Sequence, residues 1–362
     1  MKKHLNQDIS RSAFWERLSR TRLKNYLKRV VGELMSQMSR SASIGTELLD
    51  QLGVSAIRII DSSSISLWDG AKKTFPGTRT TAGIKWHACF NLLTGVMSWF
   101  ELTPTSTNDR NCFVDLKSLR GELAIFDLGY WDYGLLWEIQ QVGGFFLCRL
   151  KSNATIYIQE VVQGLSHQHV GKSLLSLKFK RKRANLIEVK AEKRLKGGKT
   201  LSCRVIGFWN PVEKGYHWYV TNLTVAAFII YPLYRLRWQI ELIFKACKNS
   251  LNANELTSND ANIIESLLLS SLVAHLASHT ILEVGGETLD HDQKLATSFQ
   301  RIAQVTVQLA DDFVKFLLNS SRKYFDHLVQ KITLFANEIF DPNYKHRETS
   351  LARVHRMLEN GP

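Results

Sequence analysis

The sequence predicts a mixed α/β sheet flanked by helices. Three observations support this fold class: short apolar runs typical of strands, helical spacing between some of these runs, and a long helical region after them. The strand candidates are "AIRIID", the two arms of "GIKWHACFNLLTGVMSWFELT" turned at Thr94-Gly95, "LAIFDLGY" and "GGFFLCRLKSNA", with "RNCFVDLKSLRG" as a helix between the third and fourth. The predicted order along the chain is three strands, a helix, a strand, a helix and a strand. This order favours a sheet with both antiparallel and parallel neighbours.

The composition indicates a folded protein with a polyanionic partner. The chain has 362 residues, of which 44% are hydrophobic, so it can bury a substantial core. Lys and Arg total 47 against 33 Asp and Glu, a formal net charge of +14. This excess favours nucleic acid as the first interpretation and an anionic membrane surface as the second.

The sequence predicts a cytoplasmic location. The start, "MKKHLNQDIS", lacks the apolar run of a secretory signal. The most apolar window, 263–282, contains Glu265, His275 and His279, which favours a buried helix over a membrane span. Five widely spaced cysteines without a C-x-x-C pair argue against a disulfide framework or a zinc site.

Five regions follow from changes in the pattern. Short β-type runs, among them "LLSLKFK", are separated by turns such as "KGGK" and indicate a β-rich insertion. Helical spacing dominates after it and predicts, among others, a helix over 293–319. The predicted regions are a basic helical N-terminal region (1–55), the first part of the core (56–154), the insertion (155–224), the second part of the core (225–285) and a helical C-terminal region (286–362).

Two aspartates each end an apolar strand candidate. Asp61 closes "AIRIID" and Asp127 closes the apolar part of "LAIFDLGY". Acids at the carboxyl ends of neighbouring strands face a crevice, where two of them favour a shared cation or proton. An equally good interpretation is that each aspartate caps the turn that follows it.

The third acid lies in "YRLRWQIELIFKACKNSL", residues 234–251. On a helix Tyr234, Arg237, Glu241 and Lys248 fall within roughly 60° of one another, beside an arc of apolar residues. Such a row could hold a phosphate chain beside a metal ion. The alternative is ordinary ion pairing on a helix surface.

These residues resemble a known family. The Tyr-x2-Arg-x3-Glu-x6-Lys spacing resembles the signature of the IS-four-type bacterial insertion-sequence transposases of the DDE group. "IIDSSSI" and "AIFDLGYWDY" resemble the two aspartate blocks of that family, and the resemblance extends over about 57–282. It implies a ribonuclease-H-like core with a β-rich insertion before the glutamate-bearing helix.

The resemblance also implies chemistry and partners. Asp61, Asp127 and Glu241 would bind two divalent ions, usually Mg²⁺ with Mn²⁺ as a substitute, and hard oxygen ligands suit such ions. Two metals can activate a nucleophile and stabilise the leaving oxygen in phosphodiester attack. The expected activity is DNA transposition at the bacterial nucleoid, in which the protein binds terminal inverted repeats and joins 3′-hydroxyl ends to target DNA. The apolar helical periodicity of the C-terminal region adds the hypothesis that a homodimer holds the two ends.

Further cations are candidate DNA contacts. By the resemblance, Tyr234, Arg237 and Lys248 hold phosphates near the cleaved strand. Arg149 and Lys151 follow the fifth strand candidate, where a solvated strand edge is an equal alternative. The run "KFKRKR" adds candidates that a solvated hairpin tip would also explain: Lys178, Lys180, Arg181, Lys182 and Arg183.

Two other classes of function remain open. A nuclease with the same fold would cleave DNA without joining it, although the Tyr-Arg-Glu-Lys spacing speaks against this class. A catalytically inactive DNA-binding remnant of a transposase is the other. About 55 residues precede the first acid-bearing strand candidate, fewer than the family's repeat-recognising region commonly has, so a shortened copy is also expected.

Overall fold

The computed structural model describes residues 10–40, 46–93, 97–177, 179, 182–251, 258–286, 301, 305, 308–309, 312, 315, 321–335 and 350–361. The strands are β1 (Ile57–Leu67), β2 (Ala82–Asn91), β3 (Met97–Pro104), β4 (Leu123–Phe126), β5 (Phe145–Arg149), β6 (Tyr157–Gln163), β7 (Leu186–Arg194), β8 (Thr200–Asn210) and β9 (Gly215–Thr221). The helices are α1 (Arg11–Leu18), α2 (Thr21–Arg40), α3 (Thr46–Leu52), α4 (Tyr133–Gln141), α5 (Ala227–Arg235), α6 (Trp238–Leu251), α7 (Ala261–Gly286), α8 (Arg322–Phe335) and α9 (Ser350–Asn360).

The described strands form one mixed sheet in the order β3-β2-β1-β4-β5-β9-β8-β7-β6. Strands β1, β2 and β3 pair antiparallel, whereas β1 pairs parallel with β4 and β4 parallel with β5. The helix α4 connects β4 to β5, as a parallel pair requires. The first five strands have the ribonuclease-H-like order, so the predicted fold class is confirmed.

The β-rich stretch extends this sheet. Strand β9 pairs antiparallel with β5, and β8, β7 and β6 follow in turn. One predicted strand, "LLSLKFK", is wrong at its start, because Leu174–Leu177 form a 3-10 turn. The region boundaries proposed from the sequence stay predictions.

The sheet has two differently covered faces. On the helix face, β-strand residues such as Ile59, Trp86 and Ile125 belong to a core that includes α5, α6 and α7. On the opposite face, which we call the α4 face, Ile60 and Phe126 pack with residues of α4. Because neighbouring residues of a strand alternate between faces, one strand delivers side chains to both cores.

The predicted helix over "RNCFVDLKSLRG" is wrong. The structure has two 3-10 turns instead, Asp109–Asn111 and Leu116–Leu119. The side chains of Asn108 and Asp115 accept bonds from the backbone N–H groups two residues later, at 3.1 and 3.2 Å. Such local bonds compete with helix formation, and this explains the difference.

The most apolar window forms part of α7, whose Ile264, Leu268 and Leu272 are buried in the protein core. Within the described ranges, no helix combines the length and the apolar character that crossing a membrane requires. The predicted turn at Thr94-Gly95 lies outside the described residues, as does most of the helix expected over 293–319.

Candidate active site

Asp61 lies within β1, not at its end as the sequence suggested. The strand continues to Leu67 because the polar run after Asp61 keeps pairing with β2, for example Ser62 with His87. The parallel pairing with β4 nevertheless stops at Ile60 and Phe126. Asp61 therefore directly follows the last residue of β1 that pairs with β4, and its side chain continues the alternation of Ile57 and Ile59 toward the helix face.

Asp127 occupies the matching position on the neighbouring strand. It directly follows Phe126, the last residue of β4, and precedes the 3-10 turn Leu128–Tyr130. Its side chain does not cap that turn. Instead, its Oδ1 accepts a hydrogen bond of 3.3 Å from the Tyr234 hydroxyl. The register thus brings two aspartates side by side, as the sequence predicted.

Glu241 comes from the first turn of α6. The predicted single helix over 234–251 is interrupted, because α5 ends at Arg235 and α6 begins at Trp238. Leu236 and Ile240 are fully buried, and the Phe244 ring packs edge-on against Trp86 of β2 at 5.5 Å between ring centroids. These apolar contacts fix the start of α6 against the sheet, beside Asp61.

Arg237 bridges two of the three acids. Its guanidinium donates one hydrogen bond to Oδ2 of Asp61 and another, of 2.6 Å, to Oε1 of Glu241. The side chain is only 14% exposed, and its buried Nε has no hydrogen-bond partner among the described residues. Arg237 is therefore the positive charge that neutralises these two carboxylates.

The acids influence one another's protonation. Burial raises the pKa of Asp61 to about 6, and the charges of Asp127 and Glu241 add to the rise. Arg237 and the Ser62 N–H oppose it. For Arg237, burial disfavours the charged form, yet the carboxylates of Asp61 and Asp127 outweigh it and raise its pKa. A cation bound beside Asp61 would therefore stabilise its ionised form and lower its pKa.

A cleft of about 480 Å³ opens over these groups. Lys248 lies at its edge, where its Nζ donates to the backbone oxygen of Ser64 at 2.7 Å, and burial lowers its pKa. Lys245 is exposed on the same side, one turn after Glu241, a position that the sequence analysis had not singled out. The cleft is lined by Asp61, Ser62, Ser63, Asp127, Arg237, Glu241, Phe244, Lys245 and Lys248.

The donor set suits a hard divalent cation. Three carboxylates supply only oxygen ligands, which Mg²⁺ and Mn²⁺ prefer. Burial raises the pKa of Asp61, and repulsion from Asp127 and Glu241 adds to the rise. In the described part of the chain, the one trio of metal-ligating side chains with all donor atoms within 4.8 Å lies elsewhere, at Glu47, His355 and Glu359. The three acids of the cleft are more widely spaced, and Arg237 stands between two of them.

Of the other predicted DNA contacts, those that the structure describes lie outside the cleft lining. Arg149 ends β5 opposite Tyr219, and its charge opposes the burial-driven rise in the pKa of Tyr234. Lys151 is exposed just beyond that strand. Lys182 and Arg183 are exposed before β7, whereas Lys178, Lys180 and Arg181 lie outside the described residues.

Behind the cleft, on the α4 face, lies a set of polar side chains that the sequence analysis did not connect. We call Ser62, Lys85, His87, Asp109 and Tyr130 the rear network, of which Ser62 also contributes to the cleft lining. Asp109 accepts bonds from Lys85 and Ser62, and the fully buried His87 bonds to the Tyr130 hydroxyl at 3.0 Å. Asp109 lies in the polar stretch "STNDRN", which has no periodicity that would mark it.

A mixed sheet of this strand order, with two adjacent strand positions presenting aspartates to a glutamate-bearing helix, is the arrangement of ribonuclease-H-like enzymes, a class that includes the DDE transposases. The chain belongs to the transposase DDE domain family, whose model matches residues 53–277. The resemblance to IS-four-type transposases is thereby confirmed.

Individual relatives are transposases of insertion sequences. The transposase of element IS231F from Bacillus thuringiensis subsp. israelensis is 25% identical over 353 residues, which cover 85% of this chain and 72% of that one. The transposase of IS1151 from Clostridium perfringens is 26% identical over 273 residues, or 62% of this chain and 56% of that one. A cryo-EM structure of a piggyBac transposase synaptic complex with hairpin DNA aligns with a TM-score of 0.41 and 12% identity, covering 77% of this chain and 57% of that one.

Proposed function

We propose that the protein is a cut-and-paste DNA transposase that cleaves the phosphodiester backbone at insertion-sequence ends and joins the 3′-hydroxyl ends to target DNA. The observation that carries this proposal is the cleft, in which Asp61, Asp127 and Glu241 meet beside Arg237 and Lys248. Carboxylates for metal ions next to cations for phosphates are what phosphodiester chemistry requires.

In this proposal the three carboxylates hold two Mg²⁺ ions, for which Mn²⁺ can substitute. When bound, the ions would supply an activated attacking oxygen and stabilise the leaving oxygen. Their positive charge would also favour the ionised form of Asp61, whose pKa is raised in their absence. Asp61, Asp127 and Glu241 come from separate elements, so the sheet and α6 together set their spacing.

The neighbouring donors would bind the DNA backbone. With Asp61 and Glu241 holding metal ions, the Arg237 guanidinium would be available to bind a phosphate, for which its paired N–H donors are suited. Lys248 and the Tyr234 hydroxyl lie beside it as further donors. Arg149, Lys151, Lys182 and Arg183 would contact the DNA farther from the reacting bond. A homodimer would hold two element ends together with the target.

The test uses the full chain with Mg²⁺, a plasmid target and two labelled element ends, one pre-nicked and one intact. The element ends are taken from the DNA that flanks the reading frame, where the proposal expects terminal inverted repeats. Joining of the labelled 3′ end to the plasmid supports the proposal. Cleavage of intact ends without joining would indicate a nuclease, and binding without either reaction would indicate an inactive remnant. The Glu241→Ala variant, which we expect to lose joining, is the control for protein-dependent chemistry.

A further inference from the structure

Asp109 connects two strands from behind the candidate active site. Its Oδ1 accepts a hydrogen bond of 2.8 Å from Lys85 Nζ on β2 and one of 3.2 Å from Ser62 Oγ on β1. The Asp109 side chain is 21% exposed, so both bonds are partly shielded from water. Ser62 directly follows Asp61, whose own side chain points to the other face of the sheet.

The other oxygen of Asp109 lies against the loop that carries Asp127. A Cβ atom added to Gly129 would lie 2.5 Å from Asp109 Oδ2, closer than real Cβ contacts permit. The backbone of the loop therefore packs directly on the carboxylate, and only glycine leaves room for this contact. Gly129 lies two residues after Asp127, in the 3-10 turn that Asp127 precedes.

These contacts lie where main-chain pairing stops. Strands β1 and β4 pair only as far as Ile60 and Phe126, one residue before the two aspartates. Beyond that point the Asp109 carboxylate touches both chain segments, through Ser62 on one side and Gly129 on the other. Its position can therefore set the separation of the segments that carry Asp61 and Asp127.

We propose that Asp109 is a positioning residue that sets the spacing of Asp61 and Asp127 from the rear of the sheet. The inference rests on the proposed function, in which these two aspartates hold divalent ions. Groups that orient metal ligands without touching the metal commonly change metal affinity by about 10–100-fold. Loss of Asp109 should therefore weaken metal binding beyond any effect on folding.

A matched control lies at the other end of β1 and β4. Arg58 of β1 donates two hydrogen bonds, of 2.7 and 2.9 Å, to Glu122, which directly precedes β4. The Glu122 side chain is 14% exposed, comparable with Asp109. Removing Glu122 takes away a partly buried carboxylate that joins the same strands, but at a site away from the cleft lining.

The experiment measures Mn²⁺ binding to the full-length protein by electron paramagnetic resonance, with thermal unfolding of each variant alongside. We expect Asp109→Ala to weaken Mn²⁺ binding by about tenfold or more. Glu122→Ala should leave the affinity within about twofold of the parent while lowering the melting temperature. Asp109→Asn, which keeps an acceptor for Ser62, should fall between Asp109→Ala and the parent, and it replaces Asp109→Ala if that variant does not fold.

The contact with Gly129 gives a second, independent arm. Gly129→Ala should weaken Mn²⁺ binding in the parent, and much less in a chain that already carries Asp109→Ala, because the clashing carboxylate is then gone. Unchanged affinity in Asp109→Ala, or an equal loss in Glu122→Ala, would overturn the positioning role while leaving the proposed function intact. Absence of Mn²⁺ binding in the parent itself would overturn both.

Discussion

The two faces of the sheet hold their carboxylates in different ways. In the cleft on the helix face, Asp61 and Glu241 share the Arg237 guanidinium, whose Nε has no partner in the part of the chain that the structure describes, and the site opens to solvent. In the rear network Asp109 has partners on two strands, and it packs against a glycine. The difference indicates that a metal ion can replace Arg237 as the partner of the cleft carboxylates, whereas the bonds of the rear network hold the strands in place.

The largest expected effect comes from the cleft. Glu241→Gln keeps the shape of the side chain but removes its charge, and we expect strand joining to fall by about a thousandfold or more, as when one member of a catalytic unit is lost. The measurement is single-turnover joining of a labelled pre-nicked end. Lys245→Gln, a change at an exposed residue of the same cleft, should retain most of the activity. If Glu241→Gln joined DNA as fast as the parent, the catalytic assignment would be wrong.

The next effect concerns the rear network and the pH dependence of folding. Burial lowers the pKa of His87 to about 4, with the positive charge of Lys85 acting in the same direction and Asp109 opposing. The ordinary value is about 6.5, so between these values the unfolded chain binds more protons than the folded one. Stability is therefore lost as the pH falls from about 6.5 toward 4, by up to about 3 kcal/mol.

Urea unfolding at a series of pH values checks this expectation. His87→Gln should flatten the dependence of the unfolding free energy on pH in that range, although the variant is less stable at neutral pH because two buried hydrogen bonds change. The control His167→Gln changes an exposed histidine, and its unfolding free energy should depend on pH in the same way as that of the parent. A His87→Gln curve that stays parallel to the parent's would show that the rear network does not hold a neutral histidine.

A smaller effect tests whether the charge pairing in the cleft is exchangeable. Arg237 places a positive charge between two proposed metal ligands, so Arg237→Gln should tighten Mn²⁺ binding by about tenfold through the lost repulsion. The same variant should bind DNA more weakly, with a salt dependence reduced by about one counterion. Calorimetry with Mn²⁺ and a salt titration of DNA binding measure the two effects.

Lys245→Gln is the matched control for Arg237→Gln. It removes one positive charge from the same cleft, at an exposed side chain that the three acids do not bind in the described structure. We expect little change in its Mn²⁺ affinity. An equal gain in Mn²⁺ affinity in both variants would mean that the total positive charge of the cleft, and not the Arg237 bridge, opposes metal binding.

The sequence predicted some of these regions better than others. The strands around Asp61 and Asp127 follow from local apolar runs, and the spacing from Tyr234 to Lys248 is likewise local, so the sequence alone placed them correctly near one another. The break between Arg235 and Trp238 could not be predicted, because no glycine or proline marks it. The contact of Asp109 with Gly129 also escaped, since it joins two loops that only the finished sheet brings together.

The smallest expected effect separates the cleft from the cationic run of the β-rich stretch. Lys182 is exposed and lies outside the cleft lining, so Lys182→Gln should lower DNA affinity by about two- to threefold and the salt dependence by at most about one counterion. Its rate of joining at saturating DNA should equal that of the parent. Lys248→Gln, at the edge of the cleft, should instead slow joining even at saturating DNA. If Lys182→Gln also slowed joining at saturation, the β-rich stretch would have to reach the reacting phosphate, and the division between a catalytic cleft and a remote DNA-holding surface would fail.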